Sequence, residues 1–266
     1  MNSILNITLS ALASAFALSI PSAAQAQPTA HVKNIVLVHG AFADGSSWSK
    51  IIPPLQAKGF NVVAVQNPLT SLEDDVAAVK RAIALMDGPV ILVGHSWGGM
   101  VITEAGVDPK VVGLVYISAL IPDTGQSVVD VVSAFPPAPG SGEFRADESG
   151  FLHLSLKGIN EYFAQTLPSA QRRILFSTQV HWAASATEQK VTNIAWKLKP
   201  SWCIVATEDK TINPDLERAE AAMISATVLE LNADHVPMLS EPKRVANFIV
   251  EAAHSIPVKE ELAQAE

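Results

Sequence analysis

The chain has 266 residues, 48% hydrophobic and 17% charged, which suits one α/β domain with a sizeable buried core. Its formal net charge is −8, and its 18 Lys and Arg are scattered, so no basic stripe exists to hold nucleic acid. Cys203 is the only cysteine, which excludes a disulfide within the chain and reads as a small buried hydrophobe.

Residues 1–26 stand apart from the rest. Residues 4–20 are apolar and small, Pro21 breaks the run, and Ala24-Gln25-Ala26 is a small-x-small cleavage site. This reads as a secretory signal peptide, although no Lys or Arg precedes Lys33. An uncleaved anchor is the other reading. The expectation is a mature protein of residues 27–266, periplasmic or secreted, with no later segment long enough to span a membrane.

Residues 34–38 form a short, apolar, β-branched run, the signature of a fully buried strand. It ends in His39-Gly40-Ala41-Phe42. A turn at residues 44–47 leads to an amphipathic helix expected over 48–58, closed by Gly59. A strand follows over 60–65. Ser71 can cap a helix over 72–86, whose Val76, Val79, Ile83 and Met86 share a face.

Residues 90–93 are again a buried-strand run, followed at once by Gly94-His95-Ser96-Trp97-Gly98 and a helical stretch from Met100. Strand, G-x-S-x-G, helix is the order a nucleophile elbow requires. The turn is so tight that the positions two before and two after the serine must lack side chains, and both are glycine. A further strand is expected over 111–117. The alternation then lapses over residues 124–199, which include a Pro/Gly loop at 136–142 and stretches rich in Phe, Leu and Trp. This segment reads as a small helical cap over the strand ends. Strand 202–206, a helix near 214–224, strand 228–231 and a helix over 244–253 complete a mostly parallel sheet with helices on both faces.

A serine hydroxyl needs a base, and the base needs an orienting acid. His235 lies just past the last strand, where a loop can hang its imidazole over the elbow. The other six histidines sit near the termini, in the cap or inside motifs. Asp209, directly after the strand that follows the cap, is the expected acid. Asp123 at the end of the preceding strand and Glu208 are the alternatives, and Asp234 reads as a turn residue. An oxyanion would be met by the backbone N–H of Trp97 and of the 39–42 loop, with Ala41 the expected donor. Phe42, Trp182 and Met238, with further cap aromatics, suggest an apolar pocket for an uncharged ester. No cluster has metal-ligand spacing and no loop has phosphate-binding form, so neither metal nor cofactor is expected.

Residues 37–41 (Leu-Val-His-Gly-Ala), 93–99 (Val-Gly-His-Ser-Trp-Gly-Gly) and 234–242 (Asp-His-Val-Pro-Met-Leu-Ser-Glu-Pro) resemble the α/β-hydrolase superfamily. Within it they are similar to the plant methylesterase and hydroxynitrile lyase group and to bacterial pyrethroid-hydrolase-like esterases. The resemblance implies the α/β-hydrolase fold and cofactor-free hydrolysis of a small to medium hydrophobic carboxylic ester through a Ser96 acyl-enzyme. Lyases of the group follow the catalytic histidine with lysine and carry a threonine near the oxyanion loop. This chain has Val236, and Ala41 with Phe42, which favours esterase over lyase. Perhydrolase or haloperoxidase chemistry and a receptor-like ligand-binding role are the remaining alternatives.

Overall fold

The computed structural model describes residues 32–257. The expected signal peptide, 1–26, and the tail from 259 lie outside the described residues. Among the described residues no helix is long and apolar enough to cross a membrane.

Six parallel strands form the central sheet: β1 (Asn34–Val38), β2 (Asn61–Ala64), β3 (Val90–His95), β4 (Val111–Ile117), β8 (Ser201–Ala206) and β9 (Thr227–Leu231). Their order is β2-β1-β3-β4-β8-β9. Every residue of β1, β3 and β8 is buried, as a strand covered on both faces must be, whereas the edge strands β2 and β9 are largely open. On the faces, α2 (Leu72–Ala84) packs on α3 (Gly98–Ala105), and α1 (Ile52–Ala57) packs on α9 (Pro242–Ser255). The Ser71 hydroxyl accepts the Asp74 N–H and caps α2 as expected.

The helix expected over 48–58 is shorter. Asp44 caps a 3-10 turn over Gly45–Trp48, and α1 begins only at Ile52. Pro53 and Pro54 lack an N–H and fit only a first helical turn, so they set the start.

The cap between β4 and β8 differs from the purely helical one expected. It has helices α4 (Val128–Val132), α5 (Leu156–Gly158) and α6 (Ser169–Thr178), with a π-turn over Ile159–Phe163. It also contains an antiparallel sheet of β5 (Phe144–Ala146), β6 (Phe151–Leu154) and β7 (Trp182–Ala183). Asp147 makes the hairpin: its Oδ1 accepts the N–H groups of Ser149 and Phe151, and Gly150 takes φ +84°. Strands of two to four residues are too short to show period-2 alternation, which hid this sheet in the sequence.

The chain winds from β1 outward to β2, then back past β1 to β3, β4, β8 and β9. Loops that leave the carboxyl ends of β1 and β3 therefore part to opposite sides, and ligands settle in such a crevice in open α/β sheets. The segments singled out in sequence, around residues 39–42, 96, 209 and 235, all leave this edge of the sheet.

Candidate active site

Ser96 follows β3 directly and precedes α3, with φ +54°, the left-handed region that a residue with a Cβ avoids. Neighbouring contacts hold it there. Its N–H donates to Ile117 O on β4 and its carbonyl accepts from Gly99 N–H and Leu120 N–H. Close approach explains the flanking glycines. A Cβ on Gly94 would stand 2.6 Å from Gly98 O, and one on Gly98 would stand 2.5 Å from Val38 O. Both obstacles are backbone atoms that cannot swing aside. Gly98→Ala is therefore expected to lose about 1–3 kcal/mol of stability, read from the urea midpoint. An unchanged midpoint would mean that the crossing of α3 over β1 is looser than described.

His235 Nε2 lies 2.9 Å from Ser96 Oγ, and its Nδ1 lies 2.5 Å from Asp209 Oδ2. A carboxylate oxygen only accepts, so Nδ1–H donates to Asp209 and the Nε2 lone pair faces the serine hydroxyl. Asp209 is itself fixed: Oδ1 accepts N–H groups from Thr211 (2.7 Å) and Ile212 (3.0 Å). His235 has no exposed surface, whereas Ser96 keeps 9%, so the serine is the end of the chain that meets the outside. Asp123, the alternative acid, is on the surface, paired with Lys197 (2.5 Å) and Thr124. That cation holds its carboxyl below the usual range. Glu208 is exposed.

Two other histidines brace these groups. His95 is fully buried, and its Nε2–H donates to His235 O (2.7 Å). Burial, then the neighbouring His235, holds His95 well below the usual imidazole range, so it stays neutral and adds no charge beside His235. His39 Nδ1–H donates to Gly40 O (2.8 Å), while its Nε2 accepts Asn67 N–H (2.9 Å). Burial lowers its pKa as well. These bonds shape the 39–42 loop, in which Phe42 takes φ +61°. The loop touches the elbow, since a Cβ on Gly40 would stand 2.6 Å from Ser96 Cβ. Among the described residues, neither the Ala41 nor the Trp97 amide donates to a protein acceptor. Both are therefore free to meet a developing oxyanion.

Two buried acids near the site, Asp75 and Glu217, were not singled out in sequence, and a third, Asp234, does more than the turn expected of it. Asp75 on α2 accepts Trp97 Nε1–H (2.7 Å) and Leu69 N–H (2.8 Å), tying the residue after Ser96 to the helix beneath. Burial pushes its pKa up to about 6 against the opposing pull of the Trp97 bond. Asp234, read as a turn residue, is fully buried. Its Oδ2 accepts Thr166 N–H and Oγ–H from the cap, and its Oδ1 accepts from Val236 and Ser240. It thus locks the loop that carries His235. Glu217 lies on α7 (Pro214–Met223), behind Asp209. The signal for Asp75 was available, because Leu72, Asp75, Val76 and Val79 share one helical face.

Rings wall the site. Trp182 meets Trp97 at 5.1 Å and Phe42 at 6.0 Å, Phe42 meets Phe144 at 5.4 Å, and Phe163 lies 5.0 Å from His235. A cavity of about 480 Å³ between α4, the cap sheet and the start of α7 is lined by Val128, Phe135, Phe144, Trp182, Thr211 and Ile212 among others. No charged side chain lines it. Phe42 stands behind Phe144 and Trp182, while Met238 is fully buried in α8 (Pro237–Ser240) and neither lines this cavity. Among the described residues no group of three or more His, Cys, Asp or Glu is placed to hold a metal.

Comparison with known proteins gives the same fold and places the chain among known relatives. It is 28% identical to salicylic acid-binding protein 2 of Nicotiana tabacum over 84% of its own length and 97% of the relative's. It is 25% identical to a pyrethroid hydrolase of Sphingobium wenxiniae over 84% of its own length and 88% of that protein's. The solved structure of polyneuridine aldehyde esterase superposes with a TM-score of 0.72 at 21% identity, covering 83% of this chain and 98% of that one. The profile of the alpha/beta hydrolase family matches residues 35–248, most of the described chain, and the protein belongs to that family.

Proposed function

We propose that the protein is a serine carboxylesterase that hydrolyses a small to medium, uncharged, hydrophobic ester through an acyl-enzyme on Ser96. The observation that carries this reading is the unbroken hydrogen-bond chain from Ser96 Oγ through His235 to Asp209 at the elbow. His235 Nε2 takes the hydroxyl proton as Oγ attacks the ester carbonyl, and Asp209 stabilises the imidazolium. The tetrahedral oxyanion accepts the N–H groups of Trp97 and Ala41. His235 then gives its proton to the departing alcohol. Water attacks the acyl carbon as the same nitrogen takes its proton, and His235 returns that proton to Ser96 Oγ as the acid leaves.

The walls support this substrate class. The charge-free cavity is not lined by Ser96 or His235 but reaches Trp182, which touches Trp97 next to Ser96, and it suits an alkyl or aryl group better than an ionised one. Relatives named for pyrethroid hydrolysis and for carbendazim-hydrolysing esterase activity agree with an ester of that kind. Val236, fully buried where the lyases carry lysine, favours hydrolysis over cyanide chemistry.

Hydrolysis of p-nitrophenyl acetate and butyrate, with labelling by a fluorophosphonate, tests the reading. One phosphonyl group per chain on the peptide that contains Ser96, with activity lost in proportion, is the expected result. Full labelling with activity intact, or no turnover on a panel of such esters, would overturn it.

A further inference from the structure

Asp209 is buried, and besides its bonds to His235, Thr211 and Ile212 it meets a second carboxyl. Glu217 on α7 is buried, with 3% of its surface exposed, and its carboxyl is within hydrogen-bonding reach of Asp209. Its Oε2 accepts Ala206 N–H (3.2 Å) at the end of β8. No N–H or O–H among the described residues reaches its Oε1.

Two buried carboxylates in contact, with no cation between them, would repel without screening. A single proton on Glu217 removes the repulsion and turns the contact into a strong O–H···O⁻ bond. We propose that Glu217 is a positioning residue of the catalytic triad, holding a proton on Oε1 and donating it in a hydrogen bond to the Asp209 carboxylate. The inference rests on the esterase reading only through the role it gives Asp209 and His235.

The groups around Glu217 agree with a neutral form. Asp209 faces it from the strand-end loop, Glu220 from its own helix and Cys203 from β8, and none of these supplies positive charge. Burial, followed by the charge of Asp209, holds the Glu217 carboxyl well above the usual range. His235 meets Asp209 through Oδ2.

With Oδ1 taken by two backbone amides and Oδ2 by His235, Asp209 has both oxygens directed, and the Glu217 proton supplies one donor more. That donor draws charge from the carboxylate. His235 therefore sees a weaker anion than an Asp209 without Glu217 would present, and its imidazolium is less stabilised.

The sign of this effect separates the proposal from its alternatives. Glu217→Leu removes the donor, so the acid limb of kcat/KM, which reports His235, is expected to move up by about half a pH unit. kcat/KM on the plateau is expected to fall by about tenfold. Glu217→Gln keeps both functions, its amide oxygen accepting Ala206 N–H and its NH₂ donating to Asp209. It should stay within about threefold of wild type with the limb unmoved. Glu220→Leu, which removes the other buried acid of α7, controls for a packing defect and should leave the limb in place.

The downfield proton resonance of His235 Nδ1–H gives a readout that needs no turnover. It should shift in Glu217→Leu and hold in Glu217→Gln. A limb that moves down in both Glu217 variants would show an ionised Glu217 and overturn the proposal. Limb and resonance unchanged in Glu217→Leu would also overturn it, whatever the loss of stability. Ser96→Ala run in parallel keeps the two readings apart. If it is as active as wild type, the esterase reading fails, while the resonance still decides the contact of Glu217 with Asp209.

Discussion

Ser96→Ala is expected to lower ester turnover by about a millionfold, the scale on which removal of an activated serine acts when the rest of the site remains. What remains is substantial: Asp209 still bonds His235, and the amides of Trp97 and Ala41, which donate to no acceptor among the described residues, still serve the oxyanion under the proposed mechanism. Residual catalysis should therefore exceed the reaction in water by about 10³–10⁴-fold, and it should show no burst.

The same position should reveal the strain that holds the nucleophile. Ser96 sits at φ +54°, which alanine tolerates no better than serine. Glycine adopts it freely, so Ser96→Gly should be as inactive as Ser96→Ala yet more stable, by about 1 kcal/mol. Activity and stability then move in opposite directions at one residue, as expected of a site held in a strained conformation. A Ser96→Ala enzyme within tenfold of wild type would place the nucleophile elsewhere.

What could be read in the sequence follows from which physical demands leave a local mark. A strand buried on both faces must be apolar throughout, so β1, β3 and β4 stand out as short β-branched runs. A tight strand-to-helix turn must be free of Cβ atoms at fixed offsets, so Gly94 and Gly98 announce Ser96. Order along the chain then points to Asp209 and His235, and the structure places His235 within hydrogen-bonding distance of Asp209 on one side and of Ser96 on the other.

The supporting acids left a weaker mark. Asp75 follows Glu73 and Asp74 at a helix start, where acids are ordinary, and Glu217 lies in an Asp-Leu-Glu-Arg run that looks solvated. Only helical phase betrays it: Glu217, Glu220, Ala221 and Ile224 recur at i, i+3, i+4 and i+7, which is the pattern of a buried face. Asp234 is the turn residue expected, its Oδ1 accepting Val236 N–H, but its second role left no local mark. Its partner Thr166 lies 68 residues away in the cap, and no local spacing encodes that bond. The cap sheet shares this weakness, because its strands are too short to carry a period.

Asp209→Asn is expected to lower kcat/KM by about 10⁴-fold, and Asp123→Asn by less than about twofold. The first expectation does not rest on lost charge alone. Thr211 and Ile212 both present N–H groups to Oδ1, so an asparagine must turn its carbonyl oxygen toward them. Its NH₂ then faces His235 Nδ1 as a donor. A donor there forces Nδ1 to accept, which moves the imidazole proton to Nε2, the nitrogen that must take the proton of Ser96. The packing stays nearly the same size and shape, so the fold should survive while the base is held in the wrong tautomer. Asp123 has no such leverage. It is half-exposed, and Lys197 and Thr124 occupy its carboxylate. Its loss should cost at most the small worth of a surface ion pair. A large loss in Asp123→Asn with a mild one in Asp209→Asn would move the acid to the end of β4. His235 would then have to turn away from the carboxylate it faces in this structure, carrying its Nε2 away from Ser96.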